Sequence, residues 1–99
     1  MYSIELADGT IINNLQLNGN NFISDTIIDN EVFIDNLETV IITNEEGSTT
    51  YNNMKLIQNK VNGTQSWFIL TEKTQEEIEK EELYQLLADL TETVLLGGN

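Results

Sequence analysis

Apolar and polar positions alternate through most of the first seventy residues, then change period abruptly. Tyr2-Ser3-Ile4-Glu5-Leu6 alternates as a half-buried strand does, and Asp8-Gly9 follows as a hairpin signal. A two-residue turn there sets Leu6 opposite Ile11, Ile4 opposite Asn13 and Tyr2 opposite Leu15, with Leu17 continuing the apolar face. Asn18-Gly19-Asn20-Asn21 turns the chain again, and short strands follow around Phe22-Ser24 and Thr26-Ile28. The stretch up to Asn36 holds an echo, Ile28-Asp29-Asn30 and Ile34-Asp35-Asn36, too short for a solenoid. Glu31 to Asn36 reads as a turn of helix or a loop.

Leu37 to Thr43 is rich in β-branched residues and reads as a strand, closed by a loop at Asn44-Glu45-Glu46-Gly47-Ser48. Thr50–Lys60 and Gln65–Leu70 read as two further strands joined at Asn62-Gly63. That turn sets Leu56 opposite Ile69, Ile57 opposite Phe68 and Gln58 opposite Trp67. Trp67 and Phe68 then point to opposite faces, which predicts a strand with neighbours on both sides and the helix covering one face.

From Thr71 the period becomes helical. Thr74-Gln75-Glu76-Glu77 fits a capping box, and the early glutamates suit the positive end of a helix dipole. Leu83, Leu87, Leu90 and Val94 recur at +4, +3, +4 along one face, with Leu86, Leu95 and Leu96 widening it. Gly97-Gly98 is the stop signal. Between Glu72 and Glu82 the only aliphatic residue is Ile78, so the helix begins solvated and becomes apolar toward its end. Three covers are open for that end: the sheet of its own domain, another copy or subunit, or a share of each. Two heptads are too few to hold a coiled coil alone.

The fold class these elements predict is α+β. About six strands form a small twisted antiparallel sheet or partly open barrel, built from hairpins and followed by one long C-terminal helix. Residues 1–70 are the β scaffold and 71–99 the helix, within a single domain of 99 residues.

Composition narrows the function classes. Seventeen acidic residues against four lysines give a formal charge of −13, with no histidine. Such a surface opposes binding to nucleic acid or an anionic membrane, which require cationic groups, and leaves basic partners or divalent cations open. Cysteine is absent, so disulfides and thiolate metal sites are excluded. The N-terminal segment has no secretory pattern and no apolar run approaches the roughly 18 residues of a membrane span. The expected location is the cytoplasm.

Catalytic chemistry finds little to stand on. Without histidine or cysteine, a nucleophile would have to be Ser3, Ser24, Ser48 or Ser66, and none lies beside a glycine-framed elbow. The chain is read as no enzyme, with no cofactor and no small-molecule substrate. No calcium loop or phosphate-binding glycine loop occurs. Asp25, Asp29 and Glu31 could gather an ion, but a solvated acidic loop is the plainer reading. Glu76 and Lys80 have the favourable i, i+4 order. Tyr2, Phe22, Phe33, Tyr51, Trp67 and Phe68 read as core, whereas Tyr84 lies off the leucine seam and suits an interface with its hydroxyl wet.

The segments I-E-L-A-D-G-T-I-I-N-N-L-Q-L-N-G-N-N-F-I-S, V-F-I-D-N-L-E-T-V-I-I and S-W-F-I-L, with the acidic helix after them, resemble small acidic proteins encoded in bacteriophages and prophages near tail and late structural genes. The resemblance spans most of the chain and implies no activity and no functional residues. Its relatives often end in a methionine-rich acidic tail, whereas this chain ends Thr93-Val94-Leu95-Leu96-Gly97-Gly98. The functional expectation is a non-enzymatic, tail-associated protein-interaction module that self-associates through Leu83, Tyr84, Leu87, Leu90 and Val94. Its partners would be protein: a homo-oligomer or a virion protein. The alternative is an acidic mimic of DNA that inhibits a host nucleic-acid enzyme.

Overall fold

The computed structural model describes the backbone of residues 1–97 and the side chains of residues 1–87. Seven strands form one antiparallel sheet, followed by a single C-terminal helix, so the fold is α+β. The strands are β1 (Tyr2–Glu5), β2 (Ile11–Asn18), β3 (Asn21–Ser24), β4 (Thr39–Asn44), β5 (Gly47–Asn52), β6 (Met54–Asn62) and β7 (Gln65–Glu72), and the helix α1 runs Gln75–Gly97.

The spatial order is β5-β4-β1-β2-β3-β7-β6. Hairpin neighbours dominate, but two pairings join strands distant in sequence: β1 with β4 and β3 with β7. The count exceeds the expected six because Thr50–Lys60 is not one strand. Asn53 adopts a left-handed φ of 54° and breaks it into β5 and β6. Asparagine tolerates that conformation better than most residues. The consequence is topological: the two outermost strands of the sheet are joined through a single residue. The sheet must therefore curl, although it stays open along the β5 and β6 edges. Thr26-Ile28, expected as a strand, lies outside the sheet.

Two registers differ from those the sequence predicts. The first hairpin closes through three loop residues, with the Gly9 amide donating to the Leu6 carbonyl (2.9 Å) and Gly9 at φ 91°. A glycine in that position completes the common three-residue hairpin loop. Glu5 therefore pairs with Ile11 and Ile4 with Ile12, and a bulge at Asn14 (φ 58°) restores Tyr2 opposite Leu15. Ile12, not Ile11, faces the core, and Ile11 is exposed. In the last hairpin Asn62 pairs with Gln65, so Lys60 opposes Trp67 and Asn59 opposes Phe68. A register shift between Leu56 and Gln58 then sets Leu56 opposite Leu70.

The core is a cluster of Ile4, Leu6, Leu15, Phe22, Phe33, Leu37, Val40, Met54 and Phe68. Phe68 sits at its centre, with Phe22 at 5.6 Å and Phe33 at 5.1 Å between ring centroids. Aromatic pairs at such separations add to the gain from burial. As expected, β7 has a neighbour on each side (β3 and β6), and Trp67 and Phe68 face opposite ways. The cover over Phe68, however, is not the helix. It is the irregular segment between β3 and β4, which carries a short 3₁₀ turn (Asn30–Val32) and inserts Phe33 and Leu37.

Side chains hold that segment where no ladder can. The Ser66 hydroxyl, fully buried, accepts the Ile28 amide at 2.7 Å, and Asn59 Nδ2 donates to the Ile28 carbonyl at 2.7 Å. Asp29 caps the 3₁₀ turn by accepting from the Glu31 amide at 3.0 Å. Asn36 accepts the Asp8 amide at 2.8 Å and donates to the Val32 carbonyl at 2.9 Å, tying the segment to the first hairpin. Buried polar groups are mostly paired in this way, and here the pairing fixes the lid of the core.

Candidate interaction surface

Helix α1 starts as the sequence predicts. The Glu77 amide donates to Thr74 Oγ1 at 3.1 Å and the Thr74 amide donates back to Glu77 Oε1 at 3.3 Å, the reciprocal pair of a capping box. The body adds a second hold on the same carboxylate. Lys55 Nζ, on β6, reaches both oxygens of Glu77 at 2.7 and 2.6 Å. That ammonium, with the Thr74 amide after it, holds the Glu77 carboxyl below the usual carboxylate range. Just before the helix, the Lys73 amide donates to the Asn53 carbonyl at 2.8 Å, and the Lys73 side chain reaches forward to Glu81 at 2.9 Å. The expected Glu76–Lys80 pair does not close among the described residues, where Gln75 instead donates to Glu79 at 3.4 Å.

These contacts set the rotation of the helix. Glu77, Ile78, Glu81 and Gln85 look toward the body: Glu77 and Ile78 are half-buried, and Glu81 and Gln85 line a cleft of about 490 Å³ between helix and sheet. The stripe Glu77–Glu81–Gln85, at i, i+4, i+8, is polar. Leu83 and Leu87 lie two positions beyond Glu81 and Gln85, roughly 200° of helical rotation away. They point to the other side, where Leu83 is 53% exposed and Leu87 49%; Tyr84, on the flank between the two stripes, is 60% exposed. Leu86 is exposed beside them.

Docking of the leucine face on its own sheet, one of the covers left open by the sequence, does not occur among the described residues. Among the described residues the sheet meets α1 near its first turns, through charged and polar groups and Ile78. The long dimension of the molecule, 57 Å against 29 and 23 Å, fits a helix that projects from the body. Leu90 and Val94, the other two seam positions, lie outside the residues whose side chains are described; of the stop expected at Gly97-Gly98, Gly97 still belongs to the helix and Gly98 lies outside the described residues.

The remaining candidate groups do not converge. Asp25 accepts from Gln65 Nε2 at 3.2 Å and Asp29 caps its turn, so these carboxylates serve the local fold. No group of three or more metal-ligating side chains gathers among the described residues. No described helix is long and apolar enough to cross a membrane. Sequence reasoning missed the role of Lys55 and Lys73 as tethers. Nothing in their spacing signals it, because the partner carboxylates lie 22 and 8 residues away. No protein family, curated protein or solved structure matches the chain, so the reading of this surface rests on its own geometry.

Proposed function

We propose that the protein is a non-enzymatic interaction module that self-associates through the outward face of α1, with Leu83, Tyr84 and Leu87 at the contact and Leu90 and Val94 continuing it. The observation that carries this reading is the rotation of the helix. A polar stripe faces the body and a leucine stripe faces away from it, exposed. A helix draws most of its stability from packing an apolar face, and this one finds no cover in its own chain among the described residues. A second copy supplies a matching face, since a row of leucines is complementary to itself across a two-fold axis. The proposed role, an accessory of tail assembly in the host cytoplasm or on the virion, is supported only by the sequence's resemblance to phage and prophage proteins.

Sedimentation of wild type and of the double variant Leu83→Glu/Leu87→Glu, over a range of concentrations, tests the proposal. Wild type should sediment as a multiple of the 11.2 kDa chain and the variant as a single chain with unchanged near-ultraviolet dichroism. A single chain in both, at every concentration, contradicts it.

A second reading is carried by a different feature of the same helix. Glu76, Glu79 and Glu82 are all exposed, and an acidic row of that kind could occupy a cationic groove built for phosphates. Salt-sensitive binding to a host nuclease, lost when the three become glutamine, supports that reading; failure to compete with DNA for such enzymes ends it.

A further inference from the structure

Lysine is scarce in this chain, yet two of its four lysines converge on the junction between sheet and helix. Lys55 grips Glu77 and Lys73 grips Glu81, one and two turns into α1. The rest of the junction is thin. Lys73 is fixed to Asn53 through its backbone, Ile78 is the only aliphatic residue of the first two turns, and beyond it lies the polar cleft. That cleft is also lined by two further carboxylates, Asp35 and Glu38. Lys55 and Lys73 line the same cleft, together with acids from the body and from the helix.

We propose that Lys55 and Lys73 form an electrostatic latch that sets the angle of α1 on the sheet. Local ionic strength then controls the direction in which the leucine face is presented. This rests on the reading of α1 as the interaction element, but the latch acts within one chain. Partly exposed ion pairs are individually weak in water and are weakened further by salt. With no described apolar packing behind them beyond Ile78, little else resists a swing about Lys73-Thr74. Removing the lysine charges also leaves Glu81 sharing the cleft with Asp35 and Glu38 without a cation among its lining residues, and like charges favour a more open helix.

The absence of native cysteine permits a clean distance measurement. Thr49→Cys on the exposed strand β5 and Glu82→Cys on the solvent side of α1 take a donor and an acceptor dye. Distances are read on single molecules, at dilutions where the chain sediments alone. One narrow distribution is expected in low salt, broadening by about twofold and shifting to longer distance in high salt as the charges are screened. Lys55→Gln/Lys73→Gln should show the broad distribution already in low salt, with Trp67 fluorescence reporting an intact sheet. Lys60→Gln/Lys80→Gln, which removes the same charge elsewhere, should stay narrow. An unchanged distribution between low and high salt overturns the latch, and so does equal broadening in the two lysine pairs. Because the measurement is made on single chains, a failure of self-association leaves its outcome readable.

Discussion

Lys55 and Glu77 sit 22 residues apart in sequence and form a two-oxygen ion pair, while the same carboxylate closes the capping box with Thr74. One side chain therefore ends the sheet-to-helix connection, caps the helix and fixes its rotation. Fixing the rotation is what turns Leu83 and Leu87 away from the body.

The cap itself is testable apart from the ion pair. Thr74→Ala removes the hydroxyl that accepts from Glu77 and should destabilise the helix by about 1 kcal/mol. Because α1 contributes no described residue to the core cluster, the loss should appear as reduced helical dichroism at low temperature. The cooperative melting of the sheet should be unchanged. A matching fall in the sheet's melting temperature would mean that helix and sheet form one cooperative unit.

Phe33 lies in an irregular segment, yet it packs on Phe68 and is almost fully buried. Phe33→Ala should cost about 3–5 kcal/mol by urea denaturation, as much as an ordinary core phenylalanine in a strand. A cost under about 1 kcal/mol, the usual range for a surface position, would show that the segment does not cover the core.

Asn36 bridges the cover to the first hairpin through the Asp8 amide and the Val32 carbonyl. Asn36→Ala leaves both groups without their partner and should cost about 1–3 kcal/mol. Hydrogen exchange at the Asp8 amide gives the local readout. It should accelerate more than exchange in β7.

Acid should weaken the body. The Thr10 hydroxyl and amide, with Asn36 behind them, hold the Asp8 carboxyl below its ordinary range, and the N-terminal ammonium does the same for Glu45. A carboxyl whose folded value is depressed contributes stability above its unfolded value and loses that contribution as pH falls through the folded one. The urea midpoint should therefore drop as pH is lowered below the ordinary carboxylate range, and drop less in Asp8→Asn/Glu45→Gln. An equal drop in both proteins would place the acid sensitivity elsewhere.

Much of this architecture was legible from residue order, and the failures have physical causes. The capping residues, the hairpin turns and the change from period two to helical period are local signals, and each marks the element it predicts. The register of the first hairpin was hidden by the pair Ile11-Ile12. Both are β-branched, so pattern alone cannot say which faces inward, and a three-residue loop around Gly9 decides it. The split at Asn53 was hidden because both flanking runs favour strands. The cover over Phe68 had a faint signal in the spacing of Phe33 and Leu37, one helical turn apart, but its anchors Ser66 and Asn59 come from distant strands. The leucine seam was plain from spacing. Which way it pointed was not, since that depends on where Lys55 and Lys73 hold the helix.

A pair of single-cysteine chains tests that orientation and its consequence together. Leu87→Cys sits on the outward face and Gln85→Cys on the face lining the cleft. Under mild oxidation the Leu87 variant should form a covalent dimer rapidly and the Gln85 variant slowly, because only the first brings its thiol to the contact between copies. Equal rates in the two variants, or no dimer from either, would contradict association through the outward face of the helix.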